Sequence, residues 1–108
     1  MLKKSEKLKT KDFSVVMQGK KIERGQYLDI GYLLSPKTKI AVIISKKTIK
    51  KAVDRNKIKR QIFNIYKEIR KDKKINNMFI LFYPKKEILY IPYEKTKLVI
   101  SEMFDKII

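Results

Sequence analysis

Residues 45–60 read SKKTIKKAVDRNKIKR, and within the last fifteen of them eight cations, Lys46, Lys47, Lys50, Lys51, Arg55, Lys57, Lys59 and Arg60, meet one acid, Asp54. Side chains of these types bind phosphate. Arg offers a planar fork for two parallel bonds to an oxyanion, and Lys a compact point charge. Taken as helix, like charges at i and i+4, such as Lys46 with Lys50, Lys47 with Lys51 and Arg55 with Lys59, each cost a few tenths of a kcal/mol. Contact with several phosphates outweighs those penalties, so the segment is expected to bind a polyanion. Asn56 both donates and accepts hydrogen bonds, which a plain charge patch does not require, and it points to an RNA partner of defined geometry. Its other reading is a helix N-cap, which would leave the lysines upstream of it in a loop.

Other chemistry is poorly served. The chain has no Cys and no His, which removes disulfides, thiolate metal sites, cysteine nucleophiles and the commonest general base. Its 11 acidic residues are scattered one at a time, whereas a two-metal nuclease needs several carboxylates converging on one point. Lys and Arg together number 28, for a formal charge of +17, an excess most readily offset by nucleic acid. No apolar run approaches the roughly 20 residues that span a bilayer, and no hydrophobic leader follows Met1-Leu2-Lys3-Lys4. A cytoplasmic protein without a membrane partner is expected. The 108 residues, 44% hydrophobic, suit a single folded RNA-binding domain, 1–108, with a basic extension over 1–10.

The elements that must position the cations can be read from periodicity. Ile58, Ile62, Ile65, Tyr66 and Ile69 form one apolar stripe, which predicts a helix packed on a sheet. Lys57, Arg60, Asn64, Lys67 and Lys71 fall outside the stripe, while Lys71, Lys73 and Lys74 are read as solvated charge. Arg55 lies within about 20° of Ile62 on the helical wheel, two turns earlier, so the helix is expected to overshoot the sheet and project Arg55 and Lys59 into a groove or over an edge. Strands are predicted at 26–34 and 40–45, joined by Ser35-Pro36-Lys37-Thr38 as a hairpin, and at 78–83, stopped by Pro84. A closing helix opens near Pro92. A short helix carries Phe13, Val16 and Met17 on one face and ends at Gly19. Phe13 and Tyr27 can bracket a groove in which unpaired bases stack, and ordinary core packing is the alternative for both.

This order of features, with a Phe-bearing short helix, strands ending in ISKK, the run AVDRNKIKR, a further strand and a closing helix, resembles the protein subunit of bacterial ribonuclease P. The likeness covers nearly the whole chain and is most specific over residues 45–60. It implies an α+β fold, an α/β sandwich like the second domain of a small-subunit ribosomal protein, whose central, mostly antiparallel sheet carries the basic helix in a left-handed βαβ crossover. It implies that a catalytic RNA, with magnesium bound mainly by that RNA and none by the protein alone, removes the 5′ leader of precursor tRNA, one protein copy serving each RNA. Carried over by position, RNA binding falls on Lys46, Lys47, Lys50, Lys51, Arg55, Asn56, Lys57, Lys59, Arg60 and Lys67, and the leader cleft on Phe13, Met17, Tyr27 and Leu28. Lys57 stands where a second Arg is usual, Phe63 where another Arg is common, and Met17 where an aromatic is common. Ile30 or Tyr32 would replace a leader-contacting Tyr. The competing reading is a structural, ribosomal-type RNA binder without a processing role. If about five phosphates are neutralised, log K should fall against log salt with a slope near −4, Arg55 and Arg60 accounting for about one unit each.

Overall fold

The computed structural model describes residues 21–72 and 77–107. In chain order they form strands β1 (Lys21–Glu23), β2 (Leu28–Leu34) and β3 (Lys39–Val42), helix α1 (Ala52–Asp72), strand β4 (Met78–Pro84), a 3₁₀ turn (Lys86–Tyr90) and helix α2 (Tyr93–Ile107). The predicted short helix at Phe13–Met17 and the extension over 1–10 lie outside the described residues. The strands make one mixed sheet in the order β1-β2-β4-β3, with β2 antiparallel to β1 and to β4, and β3 parallel to β4. The α+β class is therefore as expected, and β3, α1 and β4 form a βαβ crossover. β1 was not legible in the sequence, because Lys21, Ile22 and Glu23 are too few to show a period.

One expectation is corrected. β2 and β3 are not a hairpin, because β4 lies between them and pairs with both. β4 reads MFILFYP, and Ile80, Leu81 and Phe82 are all buried, so it has no face to give to water and takes a central place in the sheet. The link over 35–38 crosses the entrance of β4. Ser35 N–H donates to the Asn77 carbonyl at 2.7 Å, and Asn77 N–H to Thr38 Oγ1 at 2.7 Å. Asn77 adopts a φ of 62° there, a left-handed conformation that Asn tolerates better than most side chains.

Both helices cover the face of the sheet made by Leu28, Ile30, Ile40, Val42, Met78, Ile80 and Phe82. The predicted stripe of α1, Ile58, Ile62, Ile65, Tyr66 and Ile69, is the buried set observed. α2 opens directly after Pro92 and buries Thr96, Ile100, Met103 and Phe104, leaving Leu98 exposed. The Thr96 hydroxyl, though buried, donates to the Pro92 carbonyl at 3.2 Å. Phe104 meets Phe82 edge to face at 6.0 Å and Tyr66 at 6.5 Å, tying sheet and both helices at one point.

Candidate nucleic-acid interface

The basic segment divides into a loop and a helix. Residues 45–51 leave β3, the last strand of the sheet order, whose pairing with β4 is carried on by Ile43 N–H donating to the Phe82 carbonyl at 2.8 Å. Ser45 then closes a turn on itself. Its Oγ accepts from Thr48 N–H at 3.1 Å and lies 2.8 Å from Thr48 Oγ1, while its carbonyl accepts from the N–H groups of Thr48 and Ile49, both at 3.1 Å. Lys46 and Lys47 are exposed at the tip of this turn, and Ile49, 2% exposed, anchors its far end in the core. Lys50 and Lys51 follow, exposed, before α1 begins at Ala52. The i, i+4 repulsion between Lys46 and Lys50 and between Lys47 and Lys51 therefore does not arise as in a helix. The loop reading is the observed one, yet Asn56 is not the cap that accompanied it, since it sits exposed inside α1.

Arg55 has a task that the sequence did not reveal. Its Nη1 donates to the carbonyls of Ile49 and Lys50, at 2.8 and 2.7 Å. The guanidinium on the apolar meridian thus neither meets the core nor stands clear over an edge. It reaches back along the chain and fastens the loop to the first turn of the helix. Free carbonyls just before a helix need donors, and Nη1 serves both of these, leaving Nη2 and Nε of the fork.

The remaining cations spread around α1. Lys57 and Arg60 are exposed and Lys67 half-buried, all three on the side away from the Ile stripe, with Asn56 beside Arg60 one turn before it. Lys59 is half-buried on the flank shared with Arg55. Lys71 is exposed, and Lys73 and Lys74 lie outside the described residues. The loop and the first turns of the helix thus carry adjoining cations where β3 passes into α1, with Lys67 further along the helix.

The leader-cleft residues fare less evenly. Phe13 and Met17 lie outside the described residues. Leu28, expected in the cleft, is 0% exposed and part of the central core: as the first residue of β2 it faces the helices. Ile30 is likewise in the core, and Tyr32 is half-buried against it. Tyr27 is half-buried and lines a cavity of about 240 Å³ with Arg24, Gln26, Lys95, Glu102 and Lys106 among its walls. The bend carrying it is pinned. Gly25 N–H donates to Asp29 Oδ1 at 3.1 Å, Lys85 Nζ donates to the Gly25 carbonyl at 2.7 Å, and Lys85 N–H donates to the Tyr27 carbonyl at 2.9 Å. A Cβ at Gly25 would lie 2.5 Å from the Leu28 carbonyl oxygen, so only glycine fits.

A polar pair that the sequence did not reveal joins the helices. Lys97 Nζ of α2 lies 2.9 Å from Glu68 Oε2 of α1, and Tyr93 Oη donates to Glu68 Oε1 at 3.4 Å. The Lys97 bond holds the Glu68 carboxyl below its ordinary value of 4.5, against the opposing effect of desolvation, and the same bond raises Lys97. Because the folded carboxylate is the harder one to protonate, its contribution to stability is present above 4.5 and is lost as the pH falls below it. Glu68→Gln should therefore lower the melting temperature near neutrality by a few degrees at most, since both partners are well exposed, and should flatten its decline below pH 4.5. Thermal unfolding followed by circular dichroism from acid to neutral pH checks this, and parallel curves for the two proteins would refute it.

Among the described residues no group of three or more His, Cys, Asp or Glu gathers as a metal site, and no helix is long and apolar enough to cross a membrane. No curated protein is similar enough in sequence to count as a relative. Among solved structures the fold is shared with the RNase P protein of Staphylococcus aureus, at 18% identity and a TM-score of 0.80 over 95% of this chain and 94% of that one. A mutant of the S. aureus protein with defective mRNA degradation activity gives 19% and 0.83 over 94% and 87%. The RNase P protein of Thermotoga maritima gives 19% and 0.72 over 91% and 94%. The sequence pattern of the family described as Ribonuclease P matches residues 2–108. With the cationic loop and helix held on a fold of this type, the chain belongs to the ribonuclease P family, as the protein component of a ribonuclease that includes an RNA.

Proposed function

We propose that this chain binds the catalytic RNA of ribonuclease P through residues 45–51 and the outer side of α1, and helps that RNA remove the 5′ leader of precursor tRNA in the cytoplasm. The observation that carries the proposal is the cationic surface itself. Lys46, Lys47, Lys50, Lys51, Lys57 and Arg60 are all exposed on a loop and helix that the Ser45 turn and the Arg55 tie hold in fixed relation. Preorganised cations of this density suit a folded polyanion, whose phosphates release counterions on contact. Hydrolysis is assigned to the RNA with its magnesium, and the sequence, without His or Cys, is consistent with a binding role for the protein. Precursor tRNA is the substrate, and one protein copy per RNA is the stoichiometry proposed.

The test mixes the purified protein with a bacterial ribonuclease P RNA at low magnesium and follows precursor tRNA. Cleavage at the mature 5′ end, absent with protein alone, is expected. Tight RNA binding without stimulated cleavage would instead favour the structural RNA binder. Tyr27→Ala is expected to weaken binding of leader-bearing tRNA about tenfold, the worth of one stacked base, and to leave mature tRNA unaffected. Equal losses for both tRNAs would remove Tyr27 from the leader contact.

A further inference from the structure

Beside the cationic surface, on the flank of α1 away from Arg55 and Lys59, a cavity of about 300 Å³ opens between the helix and residues 88–91. Its floor is apolar, from Ile58 and Ile88, both nearly fully buried. Its rim carries Asp54, Lys57 and Gln61 from α1, and Tyr90, which is 84% exposed. Two features set this cavity apart. Tyr90 is an aromatic ring left in water at the end of a 3₁₀ turn that buries Ile88, so packing does not account for it. Asp54 is the one acid among the cations of residues 46–60, and among the described residues its carboxylate has no ion-pair partner.

A carboxylate repels phosphate, so the backbone of a nucleic acid does not fill this cavity. A carboxylate accepts hydrogen bonds only, and a ligand beside it must bring donors. An unpaired nucleobase has both properties the rim asks for, a π-face for Tyr90 and N–H groups on its Watson–Crick edge. Guanine fits best, because its ring N–H and exocyclic amino group lie side by side and match the two oxygens of Asp54, while Gln61 can donate or accept at the neighbouring edge. Lys57, shared between rim and outer face, is placed for the phosphate of that nucleotide.

We infer that the cavity between α1 and residues 88–91 is a nucleobase subsite, which takes one unpaired guanine of the RNA partner against Tyr90 and Asp54. This rests on the proposed function, which supplies the RNA, and goes beyond it in adding base recognition to phosphate contact.

The experiment measures the affinity of a bacterial ribonuclease P RNA over a salt series for the wild type, Tyr90→Ala, Tyr90→Trp and Asp54→Asn, with kethoxal modification of unpaired guanines in each complex. Tyr90→Ala should weaken binding about tenfold at every salt concentration without changing the salt slope, and Tyr90→Trp should restore it. Asp54→Asn decides the matter by sign. Removing a negative charge near a polyanion tightens binding if only charge matters, but weakens it if the carboxylate holds a base. One guanine should be protected by the wild type and exposed with Tyr90→Ala. Melting temperatures of the variants report folding separately, and the exposure of Tyr90 leaves them unchanged at that position. A wild type that binds the RNA while Tyr90→Ala binds equally well, or Asp54→Asn binds tighter, overturns the subsite and leaves the proposed function standing. A wild type that does not bind the RNA overturns both.

Discussion

Affinity for a ribonuclease P RNA should fall about 250-fold when monovalent salt is raised from about 50 to 200 mM, the effect expected for a slope near −4 over a fourfold change in concentration. The slope comes from counting cations that the fold leaves available. Lys46, Lys47, Lys50, Lys51, Lys57 and Arg60 are exposed on adjoining parts of one surface, and about five simultaneous phosphate contacts are within their means. Arg60→Ala, at an exposed helix position, should take about one unit from the slope and leave stability within about 0.5 kcal/mol. Lysines at the loop tip should act alike. Filter binding or fluorescence anisotropy over the salt series measures the slope, and a value near zero would mean that the polyanion docks elsewhere.

Arg55→Ala is expected to behave differently from Arg60→Ala, although sequence alone treats the two arginines as equivalent. Its Nη1 makes two charge-assisted bonds to the carbonyls of Ile49 and Lys50, one of them part-buried and the other exposed. Such bonds contribute about 1.5–3 kcal/mol each when sheltered, and allowing for exposure the substitution should cost about 2–3 kcal/mol of stability. In a domain of this size that is about 10–15 °C in Tm. RNA affinity should also drop, because the loop lysines lose their fixed relation to the helix, but the salt slope should change by less than for Arg60→Ala. Both bonds come from one nitrogen, so Arg55→Lys, whose ammonium carries three donors, should restore part of the stability. Denaturant unfolding paired with the salt series separates the two arginines, and a full unit of slope lost without destabilisation would return Arg55 to the phosphate contacts.

What could be read from the sequence and what could not divides along physical lines. The Ile stripe of α1, the apolar run of β4 and the opening of α2 after Pro92 were legible, because burial of a helix face or a central strand leaves a period or a continuous run. The hairpin was misread because a four-residue link reaches about 13 Å, enough for one strand spacing of about 4.8 Å or for two, so Ser35-Pro36-Lys37-Thr38 does not say whether a third strand lies between its ends. The cations of the interface were legible as a group, since composition alone reveals charge. Their division of labour was not. Arg55 and Arg60 differ only in what surrounds them in space, as do Lys97 and the exposed lysines, and Leu28 and Tyr27 differ in the face that a strand start presents.

The intrusion of β4 between β2 and β3 has a consequence for the order in which the molecule can come into being. Among the described residues β3 has no neighbour but β4 in the sheet, and Val42 meets Phe82 only after about forty further residues have been made. A ribosome delivers residues at about 5–20 per second, so for some seconds the lysine-rich loop exists without a strand to hang from. Its lysines are then an unstructured polycation next to ribosomal RNA, able to attract any phosphate but to hold none in register. The surface acquires its geometry in the same step that completes the sheet, which would make the proposed RNA selectivity a late product of a long-range pairing.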